Sequence, residues 1–154
     1  MKASAGLLLY RIHADGDPEV LIAHMGGPFW AKKDAAGWSI PKGEFESDED
    51  PRDAAIREFT EEMGSPPPDG EDVLLGTVKQ SSAKSVTVFA RAADFDADHI
   101  TSNTTEIQWP PRSGRWMEIP EVDRAQWCTF AEARIKLVKG QVPVIDLLQQ
   151  HLSR

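Results

Sequence analysis

One segment, residues 43–65, decides the fold and the chemistry of this chain, and it reads GEFESDEDPRDAAIREFTEEMGS. Its second half predicts a helix, because apolar residues recur at helical spacing at Ala54, Ala55, Ile56, Phe59 and Met63. Pro51 suits the first turn, and Ser47 or Asp48 can serve as the N-cap. Gly64 supplies the stop at the C-terminal end.

The acidic residues of this helix are spaced as a metal site requires. Glu58 and Glu62 lie four positions apart and project from one face, with Glu61 at their flank. Like charges at this spacing destabilise a helix, and the helix dipole adds to the cost at the C-terminal end. Mg²⁺ offsets that cost, because it prefers oxygen ligands and is commonly held by a few carboxylates.

Residues 43–65 resemble the Nudix box. The residues that carry the resemblance stand at the offsets of that motif, and they are Gly43, Glu49, Arg57, Glu58, Glu61, Glu62 and Gly64. Ser65 departs from the pattern, since an apolar residue is usual there. The resemblance implies an α/β fold, namely the Nudix α/β/α sandwich with a mixed β-sheet, and a reaction in which water attacks a phosphorus of a diphosphate linkage.

The resemblance also implies roles for individual residues. Glu58 and Glu62 are the expected ligands of Mg²⁺, with Mn²⁺ as a substitute, and a backbone carbonyl of Lys42 or Gly43 can join them. Glu61 is expected to act as a third ligand or as the base for the attacking water. Arg57 is expected to orient Glu49 or Glu61 through a charge-assisted pair.

The resemblance leaves more than one candidate for the general base, because some Nudix enzymes take it from a later loop. Glu106 and Glu118 are the candidates there, with Glu121 behind them. An exposed loop acid without a catalytic role is the competing interpretation of each.

Candidate substrate contacts are aromatic or basic residues near the box. Trp30 lies in a Gly/Pro-rich loop, where an indole can stack on a nucleobase or fill a core. The basic candidates for phosphate contacts are Lys32, Lys33, Lys42, Arg112 and Arg115. Solvent-exposed residues of no special role are the alternative for Arg112 and Arg115.

Three hypotheses follow for the function. The first is a Mg²⁺-dependent hydrolase of dinucleoside polyphosphates or nucleoside triphosphates, which the run from Trp38 to Gly43 favours by resemblance. The second replaces the substrate with ADP-ribose, a nucleotide sugar or a damaged nucleotide. The third is a nucleotide-binding module without catalysis, against which the complete set of Glu58, Glu61 and Glu62 speaks.

Composition limits the class of protein. The 154 residues suit a single domain, 1–154, and the net charge of −8 argues against a partner that is a nucleic acid polymer. No apolar run has the ~20 residues that cross a bilayer. The lone Cys128 fits a reducing compartment, and we expect the cytoplasm. Nudix proteins are often homodimers, so the resemblance leaves a homodimer open.

Apolar periodicity predicts the remaining elements and a mixed α/β domain. We expect strands at residues 5–12, 20–24, 38–40, 73–79 and 85–92, the first two as a hairpin. Residues 94–105 are expected to form a polar loop and residues 109–116 an irregular segment. Helices are expected at 131–139 and 142–152.

Overall fold

The structure is a computed structural model that describes residues 2–154. Its strands are β1 (Lys2–Ile12), β2 (Pro18–Met25), β3 (Trp38–Ser39), β4 (Lys42–Glu44), β5 (Asp72–Ser81), β6 (Lys84–Ala92), β7 (Thr104–Gln108), β8 (Trp116–Pro120) and β9 (Val122–Thr129). Its helices are α1 (Pro51–Met63), α2 (Phe130–Lys136) and α3 (Val142–Leu152), with a short 3-10 helix at Lys139–Gln141. No helix within this range is long and apolar enough to span a bilayer.

Seven strands form one mixed sheet around β1. The order is β3-β2-β1-β6-β5, while β4 also pairs with β1 and β9 pairs with β2. β1 runs parallel to β6 and antiparallel to β2 and β4. The predicted hairpin of the first two strands is confirmed by the β1–β2 pairing.

The two faces of the sheet are covered by different helices. Alternate residues of a strand point to opposite faces, so Leu7 and Leu9 pack with α1 residues, whereas Leu8 packs with residues of α2 and α3. Leu7, Leu8 and Leu9 are fully buried, and they belong to two hydrophobic clusters, one on each face of the sheet. The sheet therefore lies between α1 on one side and α2 with α3 on the other, which confirms the expected α/β/α sandwich.

The boundaries of α1 differ from expectation at one end. Asp50, rather than Ser47 or Asp48, is the N-cap, and its carboxylate accepts hydrogen bonds from the backbone N–H groups of Arg52 and Asp53. The reason is Pro51, which occupies the first helical position and makes its predecessor the cap. Gly64 ends the helix as predicted, in the left-handed conformation with φ of 86°.

The segment between residues 104 and 129 contains three strands that the sequence pattern did not predict. β7 and β8 form a separate two-stranded sheet, and the irregular residues 109–116 are mostly the turn between them. β9 pairs along β2 although its sequence, VDRAQWCT, lacks a regular apolar alternation. Further on, α2 ends at Lys136 rather than at residue 139.

Candidate active site

The first residues of the Nudix-like box form strand β4 of the sheet, and this pairing places Gly43 against the carboxylate of Glu58. β4 pairs with β1, with Gly43 opposite Ala5. A Cβ atom on Gly43 would overlap the carboxylate of Glu58. Gly43 is therefore a glycine because the Glu58 carboxylate occupies the space where any side chain would begin.

Glu62 is the most buried acid of the candidate site. It is 7% exposed, and its one hydrogen bond comes from the backbone N–H of Lys42 at 3.3 Å. Burial raises the pKa of Glu62 to about 8, and the positive charge of Lys42 acts in the opposite direction. A buried carboxylate with so little compensation is costly to hold without a cation.

Arg57 connects three glutamates of the box. Its guanidinium donates two hydrogen bonds of 2.9 Å to Glu49, one of 2.8 Å to Glu58, and a longer one of 3.4 Å to Glu61. Hydrogen bonding to Arg57 lowers the pKa of Glu49. For Glu58 the balance is opposite, because burial raises its pKa more than Arg57 lowers it. Arg57 thus orients the Glu58 carboxylate while its main partner is Glu49.

Glu121 joins the box from a distant part of the chain. It lies between β8 and β9, and it lines the same cavity as Glu58 and Glu62. Its backbone N–H donates to Asn103, whose own N–H donates to the backbone oxygen of Glu61 in α1. Burial, and next the charge of Glu61, raise the pKa of Glu121. Two backbone hydrogen bonds therefore connect the main chain at Glu121 to α1.

Two cavities meet at this cluster and share Lys42, Glu62 and Glu121. The first, about 330 Å³, is polar and is also lined by Ser4, Gly43, Glu44, Glu58 and Lys84. The second, about 260 Å³, is largely apolar and is also lined by Met25, Gly26, Trp30, Ser39, Thr105, Ile119 and Val122. We call them the polar cavity and the apolar cavity.

Larger cavities occur elsewhere but do not offer this chemistry. Two of about 660 Å³ contain acids only at exposed positions, which are Asp94, Asp96, Asp98 and Asp146. The third, about 520 Å³, contains one exposed acid, Asp17. The polar cavity brings the buried acids Glu58 and Glu62 together with half-buried Glu121, so we take it as the candidate active site.

The residues that the sequence suggested as substrate contacts differ in whether they line one of the two cavities. Trp30 lines the apolar cavity, and the Lys33 ammonium lies 5.4 Å from its ring and 3.9 Å from the Phe29 ring. Exposed Lys32 is in the same loop but lines neither cavity. Of the residues that the sequence suggested as substrate contacts, Lys42 and Trp30 therefore line a cavity.

The β7–β8 hairpin carries the candidates that do not join the cluster. Glu106 and Glu118 are paired across the two strands, are exposed, and line neither cavity. Arg112 and Arg115 lie in the exposed turn of the hairpin and are also outside both linings. Among the later acids weighed as base, Glu121 is the one that lines the cavities.

Sequence reasoning did not identify Ser4 and Lys84 in the wall of the polar cavity. Ser4 is a polar residue in an otherwise apolar stretch of β1, and Lys84 follows the turn after β5. Neither has a motif, and both reach the cavity only because β1 pairs with β4 and β6.

The donors at the polar cavity fit a hard divalent cation. The carboxylates of Glu58, Glu62 and Glu121 line one space, and a main-chain carbonyl of β4 is the kind of oxygen that completes such a set. Within residues 2–154, no three acidic, His or Cys side chains already converge at metal-binding distance. The Glu58 carboxylate instead accepts a hydrogen bond of 2.8 Å from Arg57.

Comparison with known proteins identifies the family. A family model described as the NUDIX domain matches residues 2–148. The chain belongs to the Nudix family. The resemblance seen in residues 43–65 is thereby confirmed over almost the whole length of this Nudix protein.

Individual relatives agree with that membership. A putative 8-oxo-dGTP diphosphatase 3 of Mycobacterium tuberculosis is 39% identical over 61 residues, which are 40% of this chain and 27% of the relative. An RNA pyrophosphohydrolase of Hahella chejuensis is 36% identical over 59 residues, 38% of this chain and 36% of the relative. The chain thus matches about a third or less of these relatives' length.

A solved structure matches the fold over the full chain. An Ap4A hydrolase of Caenorhabditis elegans, in a binary complex, superposes with a TM-score of 0.69 at 21% identity. The match covers 99% of this chain and 98% of the other. At that identity the likeness establishes the shared fold of the two proteins.

Proposed function

We propose that this Nudix protein is a Mg²⁺-dependent hydrolase that uses water to cleave a phosphoanhydride in a nucleotide. The observation that supports the proposal most is the meeting of Glu58, Glu62 and Glu121 at one polar cavity that opens beside an apolar one. Three carboxylates in a shared space repel each other unless a cation lies among them. The paired cavities match a molecule with a charged part and an aromatic part.

The residues that would hold Mg²⁺ are Glu58 and Glu62, with Glu61 or the Gly43 carbonyl as additional ligands. When bound, the metal supplies charge neutralisation at the phosphoryl oxygens and a lowered pKa of water. Mn²⁺ has similar ligand preferences and is the expected substitute.

Glu121 is our candidate for the group that takes the proton of the attacking water. It is half-buried at the junction of the two cavities, and burial raises its pKa toward the range in which a carboxylate works as a base. Glu61 is the alternative, because its side chain is 41% exposed beside Arg57. Glu106 is the third candidate for this role. Glu49 and Arg57 would orient the other glutamates of the box through their hydrogen bonds.

The chain's other groups would bind and orient the substrate. Lys42 lies in the wall shared by both cavities, so its ammonium is placed to offset phosphate charge near the cleaved bond. Trp30 would contact the base in the apolar cavity. Four basic residues are exposed and would attract the substrate electrostatically or contact its distal parts: Lys32, Lys33, Arg112 and Arg115.

The proposed substrates are dinucleoside polyphosphates or nucleoside triphosphates. The 39% identity to a putative 8-oxo-dGTP diphosphatase favours a second candidate, a damaged nucleoside triphosphate. ADP-ribose and nucleotide sugars form a third class. We propose a cytoplasmic enzyme acting on small molecules, and a homodimer as its assembly.

One experiment tests the proposal. The protein is incubated with Mg²⁺ and a panel of diadenosine tetraphosphate, nucleoside triphosphates, 8-oxo-dGTP, ADP-ribose and a 5′-triphosphorylated RNA, and products are separated by chromatography. We expect turnover of the first three classes. Turnover of ADP-ribose alone would exclude our substrate class, and nucleotide binding without turnover of any compound would mean a non-catalytic binding module.

A further inference from the structure

His24 is a buried polar residue in an apolar stretch of β2. The four residues before it, 20–23, are apolar and fully buried, and His24 itself has no exposed surface. Its imidazole is in T-shaped contact with the ring of Trp38 in the neighbouring strand β3, with 5.1 Å between the ring centroids. Packing therefore fixes the His24 ring, and the hydrogen bonds of its two nitrogens define what the residue does.

Both ring nitrogens of His24 face oxygen atoms that accept hydrogen bonds. Nε2 lies 2.8 Å from the backbone carbonyl oxygen of Lys33, and Nδ1 lies 2.8 Å from a carboxylate oxygen of Asp123. The imidazole donates to both when both nitrogens carry a proton. Lys33 belongs to the loop between β2 and β3, and Asp123 belongs to β9. His24 thus joins this loop to β9 from inside the core.

Residues 26–37, which we call the aromatic loop, supply part of the wall of the apolar cavity. Trp30 lines that cavity, and its backbone oxygen accepts a hydrogen bond of 2.9 Å from the backbone N–H of Lys33. The carbonyl that His24 contacts is therefore in the same turn as Trp30. A Cβ atom on Gly37 would overlap this carbonyl. The glycine at position 37 thus leaves room for the contact between Lys33 and His24.

The contact with His24 is the attachment of the aromatic loop nearest to Trp30. Among the residues that the structure describes, further hydrogen bonds attach the loop at Gly26 and at residues 34–37. The N–H of Gly26 donates to the carbonyl of Glu121 at 3.0 Å, and Asp123 lies two residues beyond Glu121. The loop is therefore joined to the segment of Glu121 twice, at Gly26 and through His24.

We propose that His24 is a positioning residue for nucleotide binding, which holds Trp30 in the wall of the apolar cavity through the Lys33 carbonyl. This inference rests on the proposed function, because that function puts the nucleobase in the apolar cavity. It deepens that function by making recognition of the base depend on a buried residue behind the loop. The box glutamates belong to α1, so the loss of this contact should affect the base rather than the phosphates.

Two substitutions separate positioning from a merely structural role. An asparagine amide places its NH2 group near Nδ1 of the imidazole it replaces, whereas a glutamine amide reaches the place of Nε2. His24→Asn therefore keeps the hydrogen bond to Asp123 and loses the one to Lys33, and His24→Gln does the reverse. If His24 only stabilised the fold, the two variants would not differ in ligand binding, and neither would distinguish one ligand from another.

Calorimetry with Mg²⁺ measures the effect without turnover. The probes are α,β-methylene-ADP and methylenebisphosphonate, which has the same bridge but no nucleoside. We expect His24→Asn to weaken α,β-methylene-ADP about tenfold and to leave the bisphosphonate unchanged, because stacking on the base is lost. His24→Gln should stay within about threefold of the wild type for both probes. His99→Asn is the matched control at an exposed histidine and should bind like the wild type.

Gly37→Ala tests the same contact from the side of the loop. Its methyl group would displace the Lys33 carbonyl from His24, so we expect the same tenfold loss for α,β-methylene-ADP. Combining it with His24→Asn should weaken binding little further, because both changes remove one interaction. Urea unfolding identifies the variants that are folded in the assay. If His24→Asn is not folded, the affinity of Gly37→Ala decides.

The outcomes distinguish a failure of this proposal from a failure of the proposed function. His24→Asn should raise KM for a cleaved nucleotide about tenfold and leave kcat within about twofold, because the bond to Asp123 remains. Equal nucleotide affinity of His24→Asn and His24→Gln, or an equal loss for the bisphosphonate, would overturn the positioning role and leave the hydrolase intact. Selective loss of nucleotide binding, with no turnover by the wild type, would support positioning and exclude the hydrolase. A wild type that binds no nucleotide would overturn both.

Discussion

At the scale of single residues, this protein places carboxylates where folding alone would not favour them. Glu58 and Glu62 are buried, and burial raises the pKa of both. Gly43 leaves room for one of them and Arg57 orients it. Such an arrangement is expected where function, rather than stability, has selected the residues.

The first prediction concerns the carboxylates. Glu62→Gln should reduce kcat by at least a hundredfold, because the amide cannot supply the charge that holds Mg²⁺, while the circular dichroism spectrum stays that of the wild type. Glu121→Gln should reduce kcat by about a hundredfold if it accepts the proton of water. Glu71→Gln serves as the control and should stay near the wild-type rate, because Glu71 is exposed and lines neither cavity. Wild-type rates for Glu62→Gln would remove the metal assignment.

The second prediction concerns Gly43. Gly43→Ala should weaken Mn²⁺ binding about tenfold, because the new methyl group displaces the Glu58 carboxylate. The effect acts through Glu58, so adding Gly43→Ala to Glu58→Ala should change Mn²⁺ affinity little further. Calorimetry on the four proteins of this cycle measures the coupling. Additive losses would show that Gly43 acts independently of Glu58.

At the scale of elements, the contacts between α1 and the sheet position the site. Asp72 at the start of β5 accepts from Arg91 of β6 at 2.6 Å and 2.8 Å and from Arg52 of α1 at 2.6 Å. The side chains of Asp72 and Arg91 are 2% and 6% exposed. One buried carboxylate therefore ties two strands to the first turn of the box helix.

The third prediction follows from this contact. Asp72→Asn should lower the free energy of unfolding at pH 7 by about 3 kcal/mol, because it leaves the buried Arg91 charge without its partner. Glu71→Gln, at an exposed neighbouring position, is the control and should change it by less than about 0.5 kcal/mol. Urea unfolding measures both. A loss for Asp72→Asn equal to the control's would show that this pair adds no net stability.

The pH dependence of the same variant has a defined sign. Burial raises the pKa of Asp72, but the hydrogen bonds from Arg91 and Arg52 outweigh it and hold the pKa below its ordinary value. A carboxyl group with a lowered folded pKa stabilises above its unfolded pKa, about 3.9, and loses this effect as pH falls through the folded value. The difference between wild type and Asp72→Asn should thus be full at pH 7 and shrink below about pH 4.

At the scale of the whole molecule, one sheet carries both hydrophobic clusters. The β1 residues alternate between the α1 side and the side of α2 and α3, so both hydrophobic clusters depend on β1 for part of their packing. The site is built on the same strand, through its pairing with β4 and β6. Stability and site geometry are therefore linked through β1.

The fourth prediction is a single unfolding transition. Because both clusters share the sheet, we expect residues 1–154 to behave as one domain, with equal calorimetric and van't Hoff enthalpies. Near-ultraviolet circular dichroism of the tryptophans and far-ultraviolet circular dichroism of the backbone should give the same midpoint. Two separated transitions would mean that the helical layers unfold independently.

Local signals explain why part of the structure follows from the sequence. The apolar spacing of α1, the left-handed Gly64 and the spacing of Glu58 and Glu62 all depend on residues within a few positions of one another. The hairpin of β1 and β2 is similarly local. These signals determined the box helix, the metal-ligand candidates and, with the family motif, the sandwich fold.

Only the tertiary structure decided which distant residues join the box. Ser4, Lys84 and Glu121 meet Glu62 because β1 pairs with β4 and β6, and because Asn103 links α1 to Glu121. The pairing of distant strands produces no pattern in a single sequence, and β9 also lacks the apolar alternation that would predict a strand. The sequence by itself determined the chemistry of the helix, whereas the strand pairing decided which residues surround it.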